Sequence, residues 1–185
     1  MSGPLGLEIA LPRDAAGFVR RQCPSCQRIF KTRPSRFDAR ILQRRLLVLF
    51  PFENPHEAYE PVPTWTCFYC GHRAEADEFL VRDHVAYLES LARALANHVR
   101  YEQLAHVSRT LAQNPRPTFV AVAPEALPDT MPDEPEDLRP IHLVCCADEV
   151  KALWDWDGPF YCPRCGAHHG GLSGRQQVQL EFIQE

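Results

Sequence analysis

Apolar and polar positions change rhythm several times along this 185-residue chain. Phe18-Val19-Arg20-Arg21 and Arg28-Ile29-Phe30-Lys31 read as two short strands around a turn. Ser35-Arg36-Phe37-Asp38 has the form of a capping box and opens a short helix through Phe37, Ile41 and Leu42. Leu46 to Phe50 fits either a continuation of that helix or a strand, because periodicity does not separate them. Pro51, Pro55, Pro61 and Pro63 make the following segment a loop, and a second hairpin runs from Thr64 to Ala74 with Gly71 at its bend.

From about Asp77 to Asn114 the spacing changes to three and four. Val85, Leu88, Leu91, Ala92, Leu95 and Val99, then Leu104, Val107 and Leu111, predict a long amphipathic helix stopped by Asn114-Pro115. Some thirty residues at about 1.5 Å each span roughly 45 Å, more than a small module covers. The helix therefore breaks near His98 to Glu102, packs on the insertion (33–63) and the second ribbon (141–185) of its own chain, or presents part of its stripe to another chain.

Residues 115 to 140 hold seven prolines and the acidic run Asp129, Asp133, Glu134, Glu136, Asp137. They read as an extended linker with one short strand at Thr118 to Val122. Strands follow at Ile141 to Val144 and Val150 to Trp154, with a turn at Asp157-Gly158-Pro159, and Gln177 to Ile183 alternates as a terminal strand.

Composition narrows the picture. Seventeen prolines are well above average usage of about 5% and imply short elements with long connections. A single large core is not expected, and metal staples would offset its absence. No apolar run approaches the ~20 residues of a membrane span. Met1 to Pro12 lack the charged start and apolar middle of a signal peptide. A cytoplasmic, reducing setting is the expectation, in which thiolates meet metal rather than form a disulfide framework.

The eight cysteines carry the chemistry. Cys23-Pro24-Ser25-Cys26, Cys67-Phe68-Tyr69-Cys70 and Cys162-Pro163-Arg164-Cys165 are C-x-x-C turns, and Cys145-Cys146 is the fourth pair. Two residues between thiolates aim both sulfurs at one point, and two such turns make the four-sulfur tetrahedron that Zn2+ prefers. The expectation is two Zn2+ per chain, one on Cys23, Cys26, Cys67 and Cys70, the other on Cys145, Cys146, Cys162 and Cys165. The adjacent Cys145-Cys146 need a turn to face one ion. His142, Asp148, and His168 or His169 compete for that fourth position, with His142 first among them.

A thioredoxin-like redox pair wants a helix N-terminus, and neither Cys23 nor Cys67 stands before one. A hydrolytic zinc would need an open position and a base. His168, His169 and Glu149 are the available parts, without an H-E-x-x-H or H-x-E signature. No enzyme is expected, and the tandem histidines read as surface residues. Trp154 and Trp156 read as one face of a strand, lidding a small core.

The fold class expected is α+β, two small zinc-ribbon β modules joined by a long helix and a Pro-rich linker. The boundaries are an arm (1–17), ribbon one (18–80, with an insertion at 33–63), the helix (81–114), the acidic linker (115–140) and ribbon two (141–185). Charge is uneven across it. Phe18 to Arg45 holds nine Lys or Arg against Asp38 alone, and Glu125 to Asp157 holds ten carboxylates against Arg139 and Lys151. Arg20, Arg21, Arg28, Lys31, Arg36, Arg40, Arg44 and Arg45 are the candidate nucleic-acid contacts, interleaved with Phe18, Phe30 and Phe37. A net charge of -4 opposes that reading. The rival is a protein-only scaffold, with the basic segment docking an acidic partner or the chain's own linker.

Phe18 to Phe30 and Thr66 to Phe79 (Cys67-Phe68-Tyr69-Cys70-Gly71-His72, then Ala76-Asp77-Glu78-Phe79) resemble uncharacterised bacterial zinc-ribbon proteins, and the two quartets resemble tandem members of the zinc-ribbon fold group. The resemblance covers under half the chain. It implies metal binding and often a contact with nucleic acid or a protein partner, and it implies no reaction; a homo-oligomer would come from the helix stripe.

Overall fold

The structure, a computed structural model, describes residues 9–49, 61–111, 123, 131 and 133–171. Each cysteine pair sits in a bend flanked by strands, because sulfurs can converge only where the chain doubles back. β1 (Val19–Gln22) and β2 (Ile29–Thr32) carry the first pair, and β3 (Thr64–Thr66) and β4 (Arg73–Glu75) the second. β5 (Arg139–Leu143) and β6 (Asp148–Ala152) carry the adjacent pair, and β7 (Phe160–Tyr161) and β8 (His168–His169) the last. All four hairpins are antiparallel. The tandem histidines are thus a strand, His168 opposite Tyr161 and His169 opposite Phe160.

The hairpins do not form two separate modules. β2 pairs β6, and the first and third hairpins make one four-stranded sheet of order β1-β2-β6-β5. An isolated two-stranded hairpin is marginal in water. Joining two of them gives Phe30, Ile141, Leu143, Val150 and Ala152 a common core with Phe68, Tyr69 and Phe160 from the smaller hairpins and with Phe79, which follows β4. Tyr69 ties the halves together, its hydroxyl donating to Ile29 O (2.7 Å) and accepting from Leu153 N–H (3.0 Å). Phe68 stacks on Phe160, with centroids 5.0 Å apart.

A local twofold relation runs through this arrangement. Lys31 stands opposite Lys151 in the β2–β6 register, each five residues after the last cysteine of its hairpin. Gln27 (φ 60°) and Ala147 (φ 47°) take the left-handed conformation at matching positions, as do Gly71 (φ 72°) and Gly166 (φ 74°). The small hairpins exchange reciprocal bonds, Thr66 N–H to Pro163 O (3.0 Å) and Tyr161 N–H to Phe68 O (2.8 Å). The Tyr161 ring lies over Gly71, where an added Cβ would come within 2.8 Å of it.

Alignment on this axis pairs Cys26 with Cys146, Ser25 with Cys145, and Cys23 with Leu143. The second half keeps the first half's backbone and moves one sulfur by two residues.

α1 (Asp38–Leu49) starts where the capping box predicts, with the Asp38 carboxylate accepting from Ser35 N–H (3.0 Å) and Ser35 Oγ from Phe37 N–H (3.2 Å). After a 3-10 turn (Ala76–Phe79), α2 (Arg82–Leu111) continues unbroken for 30 residues. Leu88 packs with Leu11, Val19, Ile41, Leu42 and Leu80, so the arm, insertion and helix share a second core. Among the described residues, Leu91 and Ala92 are the last buried ones of α2; Val99, Leu104 and Val107 are 44%, 49% and 43% exposed. The helix therefore packs on its own chain for three turns and then projects.

The strands expected at Thr118 to Val122 and Gln177 to Ile183, the proline loop from 51 to 60 and the stop at Asn114 lie outside the described residues. β6 ends at Ala152, so alternation does not carry to the tryptophans. Trp156 packs edge-on to Tyr69 at 5.0 Å, whereas Trp154 is 67% exposed, and the expected pair on one face is not formed. Among the described residues, no helix is long and apolar enough to cross a membrane.

Candidate metal centres

Two sets of four sulfurs converge, Cys23, Cys26, Cys67 and Cys70 in one and Cys145, Cys146, Cys162 and Cys165 in the other, each set lying within 4.8 Å. The first joins the β1–β2 bend to the β3–β4 bend, with Cys23–Cys70 and Cys26–Cys67 sulfurs 3.7 Å apart. Forty residues, 27 to 66, separate these two cysteine pairs in the sequence. Loop closure depends only weakly on length. Cys23 and Cys67 are fully buried. Backbone amides point at both sulfurs, Ser25 and Cys26 N–H at Cys23 Sγ (3.4 Å each) and Tyr69 N–H at Cys67 Sγ (3.3 Å).

The second set joins the β5–β6 and β7–β8 bends. Cys165–Cys145 sulfurs are 3.7 Å apart and Cys162–Cys146 sulfurs 3.8 Å. Adjacent cysteines share the site because residues 144 to 147 form a turn, closed by the left-handed Ala147. Only Cys162 is buried; Cys145 and Cys165 are exposed. The rival ligands stand elsewhere. His142 is exposed on β5 opposite Glu149, and Asp148 pairs with Arg164 at 2.9 Å. His168 rings against Tyr161 at 5.0 Å. His169 comes near without joining the set, its Nε2 3.3 Å from Cys145 Sγ and its ring stacked on Phe160 at 4.8 Å.

Sulfurs this close resist ionising together. In the second set burial, then Cys162 and Cys165, push Cys145 up to about 12. Cys165, then burial, raise Cys146 to about 11. The Ala167 amide, followed by Cys146 and Cys162, draws Cys165 down to about 7. Burial raises both Cys23 and Cys67 in the first set. One thiolate per cluster is easily made; four require a cation between them. Converging soft donors at these separations fit a tetrahedral divalent ion, and both clusters could hold one.

The candidate nucleic-acid contacts scatter. Arg21 is fully buried against Asp38 (2.6 Å) and over the Trp65 ring (4.5 Å). Lys31 is fully buried too, 3.2 Å from Asp14 and bonded to Pro135 O. Arg20 pairs with Glu134 (2.6 Å) and Asp137 (2.7 Å), and Arg44 with Glu75 (2.5 Å). Arg28 lies over Trp156 (4.9 Å), and Arg36 and Arg40 over Phe37 (4.8 and 6.0 Å). Arg45 is half-buried on α1. Burial removes Arg21 and Lys31 from any surface a phosphate backbone touches.

Glu134 and Asp137, which meet both Arg20 and Lys31, come from the acidic linker. Residues 133 to 137 cross the sheet as a strap. Lys31 and Lys151, facing each other, are neutralised by buried Asp14 (3.2 and 2.8 Å), and Lys151 also by Glu136 (2.6 Å). Burial alone would raise the Asp14 carboxyl; bonds from Lys151, the Phe18 amide and Lys31 outweigh it and hold the carboxyl below its ordinary range. Glu134 is lowered likewise, through His84, Arg20 and Lys31, against the pull of burial.

Sequence reading missed Asp14, Tyr69, His84 and Lys151 as members of these networks. A signal existed for one of them, a lysine five residues after the last cysteine in both large hairpins. No protein-family model, curated protein or solved structure matches this chain in comparison.

Proposed function

We propose that this chain is a non-catalytic tandem zinc-ribbon scaffold, carrying two Zn2+ in a reducing compartment and assembling partners through its projecting helix. The observation that carries the reading is the pair of four-sulfur clusters, each bridging a large and a small hairpin of one shared core. Four sulfurs fill a tetrahedron and leave no position for a water to be activated, which supports a structural ion over a hydrolytic one. Small domains of this kind fold with their metal.

The partner is a protein rather than nucleic acid in this reading. Of the eight cations considered, Arg20, Arg21, Lys31 and Arg44 already pair with carboxylates of their own chain. The distal half of α2 is the assembly surface. Val99, Leu104 and Val107 are exposed among Arg100, Glu102 and Arg109, a mixture of signs that a second copy would complement.

Metal analysis of protein purified without added zinc should return two equivalents per chain, and none would refute the metal reading. Leu104→Glu, beyond the packed turns, should lower the mass seen in light scattering without changing zinc content. A chain that is monomeric before and after the change would refute assembly through the helix.

A further inference from the structure

The twofold relation makes the two clusters a matched pair, and the differences at matched positions point to a difference in reactivity. Where the first half has Cys23, buried and receiving the Ser25 and Cys26 amides, the second has Leu143, 1% exposed in the core. The missing sulfur is supplied from the position of Ser25, at the outer tip of the bend, by Cys145.

That shift has two consequences. It brings the sulfur to the surface. It also takes it away from the backbone donors: among the described residues Cys145 Sγ meets Cys165 Sγ at 3.7 Å and His169 Nε2 at 3.3 Å, and no backbone N–H. Amide bonds to a thiolate withdraw charge and quench its nucleophilicity, and exposure decides which thiolate a reagent reaches. Cys23 and Cys67 have amides and no exposure. Cys145 has exposure and no amide.

We infer that the second cluster is an oxidant-responsive metal-release site, in which Cys145 is oxidised by a hydroperoxide and Cys165 resolves it; this rests on both clusters holding zinc. The Cys145 thiolate attacks the terminal oxygen of ROOH, the O–O bond breaks, and the alkoxide leaves and takes a proton from water. Cys145 becomes a sulfenic acid. The Cys165 thiolate then attacks that sulfur, an S–S bond forms, and the departing hydroxide is protonated to water. Two thiolates have lost two electrons to the peroxide. The ion, left with Cys146 and Cys162, dissociates. The first cluster keeps its zinc, so the fold stays closed while the second lets go.

The test starts from wild-type protein whose metal content is first measured. Hydrogen peroxide is added with a chromophoric zinc chelator present, and non-reducing peptide mapping follows. One of two equivalents should appear at least about tenfold faster than the other, together with a Cys145–Cys165 crosslink and no crosslink among Cys23, Cys26, Cys67 and Cys70. Release of both equivalents at one rate, release of the first cluster's ion first, or a crosslink that omits Cys145 would each overturn the inference while leaving the scaffold reading intact. Two equivalents missing before any peroxide is added would instead overturn the scaffold reading on which it depends.

Discussion

At the first cluster Cys23 and Cys67 are fully buried, and three backbone amides point at their sulfurs. At the second only Cys162 is buried, and a histidine stands beside the outermost sulfur. The bends, the left-handed positions and the hairpin registers are the same in both. The backbone therefore does not decide how sheltered a metal is. A single sulfur moved two residues along a hairpin does, because it moves from the core side of the bend to its tip. One fold can carry a sheltered sulfur cluster and a more exposed one.

The largest effect should come from removing the sheltered site. Cys67 lies beside Phe68 and Tyr69, which hold the two halves together, and structural zinc contributes about 10–16 kcal/mol to folding in small metal domains. Cys67→Ser should abolish the cooperative transition of the whole sheet in circular dichroism. Cys165→Ser, at an exposed position, should lose one zinc and keep the sheet. Equal unfolding by both would break the comparison.

Acid tests the strap that lies over both halves. Asp14, Glu134 and Asp137 all sit below their ordinary values in the folded protein, held down by Lys151, Arg20 and Lys31 against the opposing pull of burial. Groups with lowered folded values contribute stability fully above their unfolded values, near 3.8 for aspartate and 4.5 for glutamate, and lose it as pH falls through the folded ones. At saturating zinc, the contribution of these carboxylates to Tm should be flat from pH 7 to 5.5 and lost below about pH 4.5. Replacing them with Asn or Gln should remove the acid slope. An unchanged slope would show that metal loss alone governs acid unfolding.

The smallest change should sharpen the contrast most. Leu143→Cys with Cys145→Ser restores the first cluster's spacing in the second half. It costs about 2 kcal/mol of core burial, read as a lower Tm. The variant should still hold two zinc ions and lose the selective release by peroxide, as chelator kinetics would report. Retained selectivity would mean that exposure of Cys165, rather than the position of Cys145, sets the reactivity.

Much of the local structure was legible in the chain. Three of the cysteine bends follow from C-x-x-C spacing, two of them with a glycine after it, α1 from Ser35 and Asp38, and α2 from a three-and-four repeat without Pro or Gly. Those signals lie within a few residues, where steric and hydrogen-bonding rules act directly. The second cluster is expected on Cys145 and Cys146 with Cys162 and Cys165, but His142, Asp148, His168 and His169 compete for the fourth position, since a turn at 144–147 depends on Ala147 taking a conformation its residue type does not advertise.

Tertiary structure alone decided the rest. Nothing local says that β2 pairs β6, because a hairpin edge accepts any strand whose side chains complement its own. Nor does a run of arginines and lysines reveal which will be buried; Lys31 became an interior residue only because Lys151, Asp14 and the strap met it there. Sequence by itself determined the eight sulfurs and the turns that hold them. Long-range packing determined which of those sulfurs the solvent can reach, since exposure is a property of what folds over a residue and not of the residue.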